Sequence, residues 1–459
     1  MYVQSLKLEN IKAFESLELD FARPGESGDA LYAGMNVFVG GNSSGKSTLL
    51  KSIALALSGP TVANQLLETP AGWVTHNAHG GSIDLNILKC HGEDGHTREW
   101  KQILKPASLA TAGLMFGTES PGVTSKLEAK VRNYSSSEDR IEDANDKESL
   151  WDVESPGWFL SGYGPFRRLS GSSSEASRKS KIGGKLSSCI TLFREDAALS
   201  ECETWLKKEY ARGLERQIQN EQSTNHVKDL IDLLNDGLMP VGFNISRVSV
   251  DDIFMTTPNG DVLPMRDLSD GFRSVFSLIL DIIPYMIEAF PDQFELSRDE
   301  SGKLSVKNTG VILIDELEAH LHPSWQSLIC DWLKTRFPNI QFFVTTHSPL
   351  IAQAADEGGL YVLPLPNELS EGQTVRRLSP QEQERVSLGR AEKVLLGEAF
   401  GLSHTWSSRA QAIVKRWEHQ AAKRQARGSL PASEQDEYKE LARQVEIIFD
   451  DDPDEVFNA

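Results

Sequence analysis

The sequence predicts an α/β fold in which a mixed central sheet is flanked by helices. The first observation is MNVFVGGNSSGKSTLLKSIALAL at residues 35–57, where a β-rich run passes through a glycine-rich loop into apolar residues at helical spacing. The second is the aliphatic run 311–314, and the third is IQFFVTTHSPL at residues 340–350, which predicts a buried strand ending at His347. Between these two strands, residues 323–336 repeat apolar side chains as an amphipathic helix does.

Composition limits the class of protein. The 459 residues are enough for two or three domains of about 100–200 residues each. No apolar run approaches the roughly 20 residues that span a bilayer. The four cysteines lie far apart without a C-x-x-C pair, which predicts neither a disulfide framework nor a zinc ribbon. We therefore expect a reduced, cytoplasmic protein without a membrane segment. The net charge of −19 argues against bulk attraction to nucleic acid or to an anionic membrane.

Residues 40–47 match G-x-x-x-x-G-K-[ST], the phosphate-binding P-loop, in the expected position between a strand and a helix. Glycines let backbone N–H groups converge on a phosphate, and the helix N-terminus adds its positive dipole end. Lys46 would reach the β- and γ-phosphates, while the Ser47 hydroxyl would bind Mg²⁺. We therefore predict ATP and Mg²⁺ as cofactors. The predicted nucleotide-binding residues of this loop are Gly40, Asn42, Ser43, Ser44, Gly45, Lys46, Ser47 and Thr48.

Two adjacent carboxylates, Asp315 and Glu316, follow the aliphatic run 311–314. Like charges at neighbouring positions repel each other, so a cation or a proton is expected near them. Four aliphatic residues followed by Asp are the Walker B pattern, which predicts that Asp315 binds Mg²⁺ together with Ser47. Glu316 would then orient and deprotonate the attacking water as the catalytic base. An acidic strand end that simply faces solvent is the alternative, and the P-loop disfavours it.

A further stretch, DLSDGFR at residues 267–273, opens a long apolar helix. With these motifs in this order, the sequence resembles ATP-binding-cassette (ABC) ATPases of the SMC, RecF and OLD branch over residues 1–118 and about 240–365. The resemblance implies an ABC-type P-loop ATPase head that forms a head-to-head dimer. It implies that Ser269 and Gly271 of the signature motif contact the γ-phosphate bound to a second subunit. It also implies that His347 is a catalytic switch histidine.

Other features of that resemblance are less regular. Asp270 stands where the signature motif usually has glycine, and Gln102 is only a weak candidate for the Q-loop glutamine. Residues 318–323 (EAHLHP) would be the D-loop. Its two histidines, His320 and His322, form an H-x-H pair that can chelate zinc, but no third ligand lies nearby in the sequence. We therefore expect them to make D-loop contacts across a dimer.

The sequence divides into four segments. Residues 1–118 and 240–370 carry the motifs, residues 119–239 form a loop-rich and helical insertion, and residues 371–459 form a helical region expected to dock a partner. The insertion lacks the long heptad array of an SMC coiled coil. Its stretch WFLSGYGPFRRLSG resembles PtuA, the ATPase of Septu and related retron antiphage defence systems. Arg167 and Arg168 of this stretch could clamp a phosphate or polynucleotide backbone, or could be solvated arginines of a turn.

The resemblance implies an ATPase that regulates a partner nuclease in bacterial antiphage defence. The implied partners are a second copy of the chain, an HNH-type nuclease subunit and a retron RNA–DNA complex with its reverse transcriptase. A RecF-like DNA-repair clamp is the alternative, and a transporter ATPase is disfavoured because its signature would more often read LSGGQ. The acidic end, residues 449–459, is read as a solvated tail rather than as a metal-nuclease site. We therefore predict no intrinsic nuclease.

Overall fold

A computed structural model of the chain describes most of its residues. They are residues 1–24, 30–67, 70–76, 78, 80–88, 109–117, 126–134, 158–167, 183–197, 199–218, 226–239, 242–249, 252–291, 293–300, 302–365, 368, 373–428 and 430–449. By their contacts they fall into two compact units, Met1–Ala391 and Glu392–Ala459. None of the described helices is long and apolar enough to cross a membrane.

Six strands form the central sheet of the first unit. In spatial order they are β18 (Arg376–Arg377), β17 (Leu360–Leu363), β5 (Gly34–Gly40), β16 (Ile340–Thr346), β15 (Gly310–Ile314) and β9 (Leu160–Tyr163). Five of these strands run parallel, and β18 pairs antiparallel with β17. The inner strands β15 and β16 are buried along their whole length, as expected for parallel strands covered on both faces. The predicted mixed central sheet is confirmed.

A second, antiparallel sheet of five strands lies in the same unit. In spatial order it contains β2 (Phe14–Asp20), β1 (Tyr2–Ile11), β6 (Gly80–Leu88), β7 (Leu109–Gly117) and β8 (Lys126–Tyr134). The helix that follows the glycine-rich loop, α1 (Lys46–Leu66), contacts strands of both sheets. Its residues Leu49, Leu50 and Ile53 are completely buried, which explains why apolar residues recur at helical spacing in this helix. The two sheets therefore share one hydrophobic core built around α1.

Aromatic rings join the end of the β1–β2 hairpin to the central sheet. The ring of Phe343 on β16 lies 4.8 Å from that of Phe21, which follows β2. Phe38 on β5 stacks on Phe343 at 6.2 Å, and Tyr361 on β17 lies 5.2 Å from Phe38. Such ring pairs each contribute about 0.5–1.5 kcal/mol beyond the area they bury. They fix the hairpin against the strands that lead to the candidate site.

The remaining elements of the first unit surround these sheets. The helices are α2 (Gly184–Phe193), α3 (Ser200–Ile218), α4 (His226–Asn235), α5 (Asp270–Ala289), α6 (Pro323–Arg336), α7 (Pro349–Ala352) and α8 (Pro380–Leu388). The short strands are β3 (Arg23–Pro24), β4 (Ala30–Leu31), β10 (Asn244–Val248), β11 (Ile253–Thr256), β12 (Val262–Pro264), β13 (Leu296–Arg298) and β14 (Leu304–Val306). The helix predicted over residues 323–336 has the observed bounds of α6, and α3 and α4 supply the predicted helical insertion.

The second unit is helical, as predicted for the C-terminal region. Its elements are the end of α9 (Ala391–Leu396), α10 (Ser408–Arg427) and α11 (Ala432–Phe449). Ser407 caps α10 by accepting a hydrogen bond from the Ala410 amide, and Gly428 ends the helix at φ 74°. Trp417 and Val445 are buried between α10 and α11, so the two helices form a hairpin with its own small core.

Candidate nucleotide-binding site

The parallel strands of the central sheet end at one edge. Gly40 ends β5, Tyr163 ends β9, Ile314 ends β15 and Thr346 ends β16. Ile314 is paired in register with Val344 on one side and with Tyr163 on the other. Ligands of open α/β sheets bind beyond the carboxyl ends of the strands. The loops at this edge therefore form the candidate site.

Glycines at Gly40 and Gly45 suit the tight packing of the P-loop. Gly45 has φ 96°, and a Cβ there would lie 2.4 Å from the Phe14 ring of the N-terminal hairpin. A Cβ on Gly40 would lie 2.8 Å from the Ser44 hydroxyl. Ser43 adopts φ 63°, in the left-handed region that non-glycine residues rarely occupy. The loop is therefore held tightly against the hairpin, in the kind of strained conformation found at ligand sites.

Two polar side chains of the P-loop suit a phosphate. The Ser44 hydroxyl is buried and has no hydrogen-bond partner among the described residues. The Lys46 ammonium is 6% exposed and donates to the carbonyl oxygens of Gly40 at 2.9 Å and Gly41 at 2.8 Å. Burial lowers the pKa of Lys46, and nearby carboxylates, that of Asp315 first, act in the opposite direction. An orphaned hydroxyl and a buried cation beside a helix N-terminus fit an anionic ligand.

The other predicted P-loop residues lie as the motif requires. Asn42 and Ser43 are exposed at the tip of the loop. Ser47 and Thr48 are half-buried in the first turn of α1, where a hydroxyl can face a metal ion bound to phosphate. Their roles in binding stay predictions.

Thr345, which the sequence analysis did not single out, holds both carboxylate residues. Its hydroxyl donates to Asp315 Oδ1 at 2.5 Å and accepts from the Glu316 backbone N–H at 2.7 Å. Asp315 is 3% exposed, whereas Glu316 is half-buried and adopts φ 47°. The left-handed backbone at Glu316 lets two successive carboxylates leave the strand in different directions. The signal in the sequence was the pair of threonines that ends the mostly apolar strand β16.

Glu318 links the loop after β15 to the end of β16. One carboxylate oxygen accepts from the Thr346 hydroxyl at 2.7 Å, and the other accepts from the His347 backbone N–H. Burial, followed by the charge of Lys46, lowers the pKa of His347 below its usual 6.5. The lowered pKa favours the neutral imidazole of His347, which can donate or accept a hydrogen bond. The sequence analysis placed Glu318 in the D-loop but missed this bridging contact.

The signature segment lies beside the D-loop. Ser269 is the exposed N-cap residue of α5 and makes no side-chain cap hydrogen bond. A Cβ on Gly271 would lie 2.8 Å from the His320 carbonyl oxygen, so glycine permits this close approach. Asp270 forms an ion pair with Arg273 on the surface of the same helix. The predicted contact of Ser269 and Gly271 with a γ-phosphate concerns nucleotide on a second subunit and stays a prediction.

The two D-loop histidines differ in their surroundings. His322 is the N-cap residue of α6, and its Nδ1 accepts from the Ser324 backbone N–H at 3.3 Å. His320 is exposed and adopts φ 67°. No group of three or more His, Cys, Asp or Glu side chains in the described part of the chain could hold a metal ion.

Arg167 is neither a phosphate clamp nor a solvated arginine, and both interpretations offered by the sequence are wrong for it. The side chain is 3% exposed, and its guanidinium donates to backbone carbonyls around the two carboxylates, including those of Asp315 and Glu316. Burial lowers its pKa to about 10. Arg168, the Q-loop candidate Gln102 and the acidic tail with Asp451 lie outside the described residues.

Residues 35–352 match a family model described as "AAA domain, putative AbiEii toxin, Type IV TA system". The match covers more than half of the chain. The chain belongs to this family. Its bounds include the P-loop, the signature segment and both carboxylates.

Individual relatives match shorter stretches. The chain is 36% identical over 141 residues to Septu protein PtuA of Bacillus mycoides (strain KBAB4), covering 31% of this chain and 17% of PtuA. It is 36% identical over 105 residues to the Retron Ec83 probable ATPase of Escherichia coli, covering 23% of this chain and 18% of that protein. The chain thus spans less than a fifth of the length of these two relatives. The predicted resemblance to the Septu and retron ATPases is confirmed.

Solved structures resemble the chain more distantly. A crystal structure of an SMC head bound to the C-terminal winged-helix domain of ScpA aligns with a TM-score of 0.45 and 14% identity. The alignment covers 84% of this chain and 100% of that one.

We expect Thr345→Val to destabilise the protein by about 1–3 kcal/mol, because a buried carboxylate oxygen and a backbone N–H lose their shared partner. Thr335→Val is the matched control, since the Thr335 hydroxyl only donates to the Asp331 carbonyl on an exposed face of α6. Its effect should stay within about 0.5 kcal/mol. Urea unfolding followed by tryptophan fluorescence measures both free energies. Equal values for the two variants would show that the Thr345 hydroxyl does not hold the site.

Proposed function

We propose that the chain binds ATP with Mg²⁺ at the P-loop and hydrolyses it, and that this cycle opens and closes a head-to-head dimer that regulates a partner nuclease in antiphage defence. The observation that carries the proposal is the placement of a buried lysine and two carboxylates at one sheet edge. Lys46 is close enough to Asp315 and Glu316 for their charges to oppose the lowering of its pKa. This is the arrangement that P-loop ATPases use to bind phosphate and metal together.

Nucleotide binding would redirect contacts that the loop now makes with itself. The Lys46 ammonium bonds two carbonyl oxygens of its own loop, and phosphate oxygens would be stronger, charged acceptors in the same place. The Ser44 hydroxyl would gain a partner. Ser47 and Asp315 would bind Mg²⁺, which supplies charge neutralisation on the phosphate oxygens when it is present.

Hydrolysis requires a base and a group that responds to the γ-phosphate. Glu316 directly follows Asp315, is half-buried and has a left-handed backbone conformation. This placement suits a carboxylate that accepts a proton from water. The lowered pKa of His347 favours its neutral form, and its backbone N–H donates to Glu318, so the neutral imidazole could donate one hydrogen bond to the γ-phosphate. We assign the base to Glu316 and the phosphate-sensing contact to His347.

Dimerisation would complete the site. Ser269 is exposed at the start of α5, where the positive end of the helix dipole favours an anion. Because this segment lies against the D-loop, one surface would present both to a second copy of the chain. Nucleotide bound between two copies stabilises the closed dimer by mass action, and hydrolysis releases it. The segments 1–118 and 240–370 would form this ATPase head around the 119–239 insertion.

The nuclease chemistry would come from a partner. The names of the Septu and retron relatives support a role in defence. We assign docking of an HNH-type nuclease, and contact with a retron RNA–DNA and reverse transcriptase complex, to residues 371–459. In this region Ile447 is 69% and Leu402 is 46% exposed, and apolar side chains rimmed by charge are typical of docking surfaces.

Lys46→Ala and Glu316→Gln should separate ATP binding from hydrolysis. Lys46→Ala loses a charge-assisted contact and should weaken ATP binding at least tenfold, whereas Lys303→Ala, at an exposed turn, should leave it unchanged. Glu316→Gln should retain ATP affinity, hydrolyse ATP about 10²–10⁴-fold more slowly and accumulate an ATP-dependent dimer. Equilibrium binding, phosphate release and light scattering measure these effects. Parental turnover by Glu316→Gln would place the base elsewhere, first at His347.

The purified chain should hydrolyse ATP but leave plasmid, linear duplex and single-stranded DNA intact with Mg²⁺ or Mn²⁺. Removal of residues 392–459 should release a co-purified nuclease subunit from the ATPase, measured by size-exclusion chromatography. Degradation of DNA by the homogeneous chain, abolished by Asp451→Ala with Asp452→Ala, would contradict the proposal. It would place a nuclease site in the acidic tail.

A further inference from the structure

Arg167 is a buried cation whose hydrogen bonds within the described part of the chain go to backbone carbonyls. It lies in the loop after β9 and is 3% exposed. Nη1 donates to the carbonyl oxygens of Gly164 at 3.3 Å and Asp315 at 3.1 Å. Nη2 donates to those of Glu316 at 3.0 Å, Leu317 at 3.1 Å and Ala319 at 3.2 Å. Four of the five acceptors belong to the segment that carries the proposed metal ligand, the proposed base and the D-loop.

These contacts fix the backbone on both sides of Glu316. The Asp315 carbonyl marks the peptide plane that precedes Glu316, and the Glu316 carbonyl marks the plane that follows it. The φ and ψ angles of Glu316 set the relative orientation of these two planes. A rigid guanidinium that bonds both carbonyls therefore restricts these two angles. The left-handed conformation at φ 47° costs roughly 1–2 kcal/mol for a non-glycine residue and needs such an external constraint. The direction of the Glu316 side chain follows from it.

The same guanidinium reaches the D-loop. The Ala319 carbonyl marks the peptide plane before His320, the second left-handed residue of the segment at φ 67°. The His320 carbonyl in turn lies against Gly271 of the signature segment. Arg167 therefore bonds both the backbone around the proposed base and the backbone of the D-loop.

The charge on Arg167 is maintained inside the protein. Burial lowers its pKa to about 10, and the carboxylates of Glu318, Asp315 and Glu316 oppose this effect, so the group stays charged at neutral pH. Several carbonyl dipoles converge on it and replace its water. Lysine could not take its place, because an ammonium is a point donor and lacks the planar fork that spans two peptide planes.

We propose that Arg167 is a positioning residue that acts on ATP hydrolysis through the backbone of residues 315–319 and does not touch the nucleotide. This inference rests on the proposed assignment of Glu316 as the catalytic base. It predicts an effect on kcat that is separate from ATP affinity.

The test compares Arg167→Lys with Arg336→Lys. Arg336 is 4% exposed and also donates to backbone carbonyls, those of Leu304 and Asp236, but it lies at the end of α6 away from the site. Arg167→Lys should lower kcat on the order of 10²-fold, because small displacements of a catalytic group reduce rates by that factor. Its ATP affinity should stay within about threefold of the parent. Arg336→Lys should lower thermal stability without a comparable loss of kcat.

A double variant tests whether Arg167 acts through Glu316. Arg167→Lys in the Glu316→Gln background should slow hydrolysis by no more than about threefold further, because effects on one catalytic unit are not additive. A full additional loss of about 10²-fold would overturn the proposal. Parental kcat in Arg167→Lys would also overturn the proposal, although the proposed function would still stand. An ATP affinity that falls by the same factor as kcat would overturn it as well.

Hydrogen exchange measured by mass spectrometry tests the backbone directly and does not depend on turnover. Peptides covering residues 315–321 should exchange faster in Arg167→Lys than in the parent, while peptides from α1 should not. If Glu316→Gln leaves hydrolysis at the parental rate, the assignment of the base to Glu316 fails, and this exchange pattern still decides whether Arg167 holds the segment. Unchanged exchange at residues 315–321 would refute the positioning role.

Discussion

Two carboxylates that leave a buried strand side by side are the constraint on which the rest of the site depends. Asp315 and Glu316 can be neighbours only if they point apart and their backbone is held in place. Thr345 bonds to both residues through a single hydroxyl, and Arg167 donates to both of their carbonyls. The buried ammonium of Lys46 supplies a positive charge close enough to interact with both carboxylates. The parallel strands bring these groups to one edge.

The segment after β15 connects this site to the surface proposed for dimerisation. Glu318 links it to the backbone of His347, and the His320 carbonyl packs against Gly271 of the signature helix. His322 then begins α6 as its N-cap residue. A change in the position of the carboxylates would therefore displace both the segment at His347 and the signature helix. This is expected because close-packed interiors transmit strain.

Local patterns predicted the fold well. The glycine-rich loop between a strand and a helix, and the apolar repeat of residues 323–336, are short-range signals, and they gave α1 and α6. The contacts of Arg167, Thr345 and Glu318 could not be predicted, because each joins residues far apart in the chain through sheet pairing. For Arg167 the sequence favoured exposure, since arginine is rarely buried without a carboxylate. Its burial is explained by the converging carbonyls of a distant turn and by the carboxylates of Glu318, Asp315 and Glu316 nearby.

We propose that Lys46, Ser47 and Asp315 bind one Mg²⁺-ATP at the edge of the sheet. A crystal structure of the Glu316→Gln variant with ATP and Mg²⁺ would test this binding mode. We expect the Lys46 ammonium to move from the carbonyls of its own loop to the β- and γ-phosphate oxygens. We also expect Mg²⁺ between the Ser47 hydroxyl and the Asp315 carboxylate. Nucleotide bound away from the P-loop, or Mg²⁺ bound without Asp315, would contradict this binding mode.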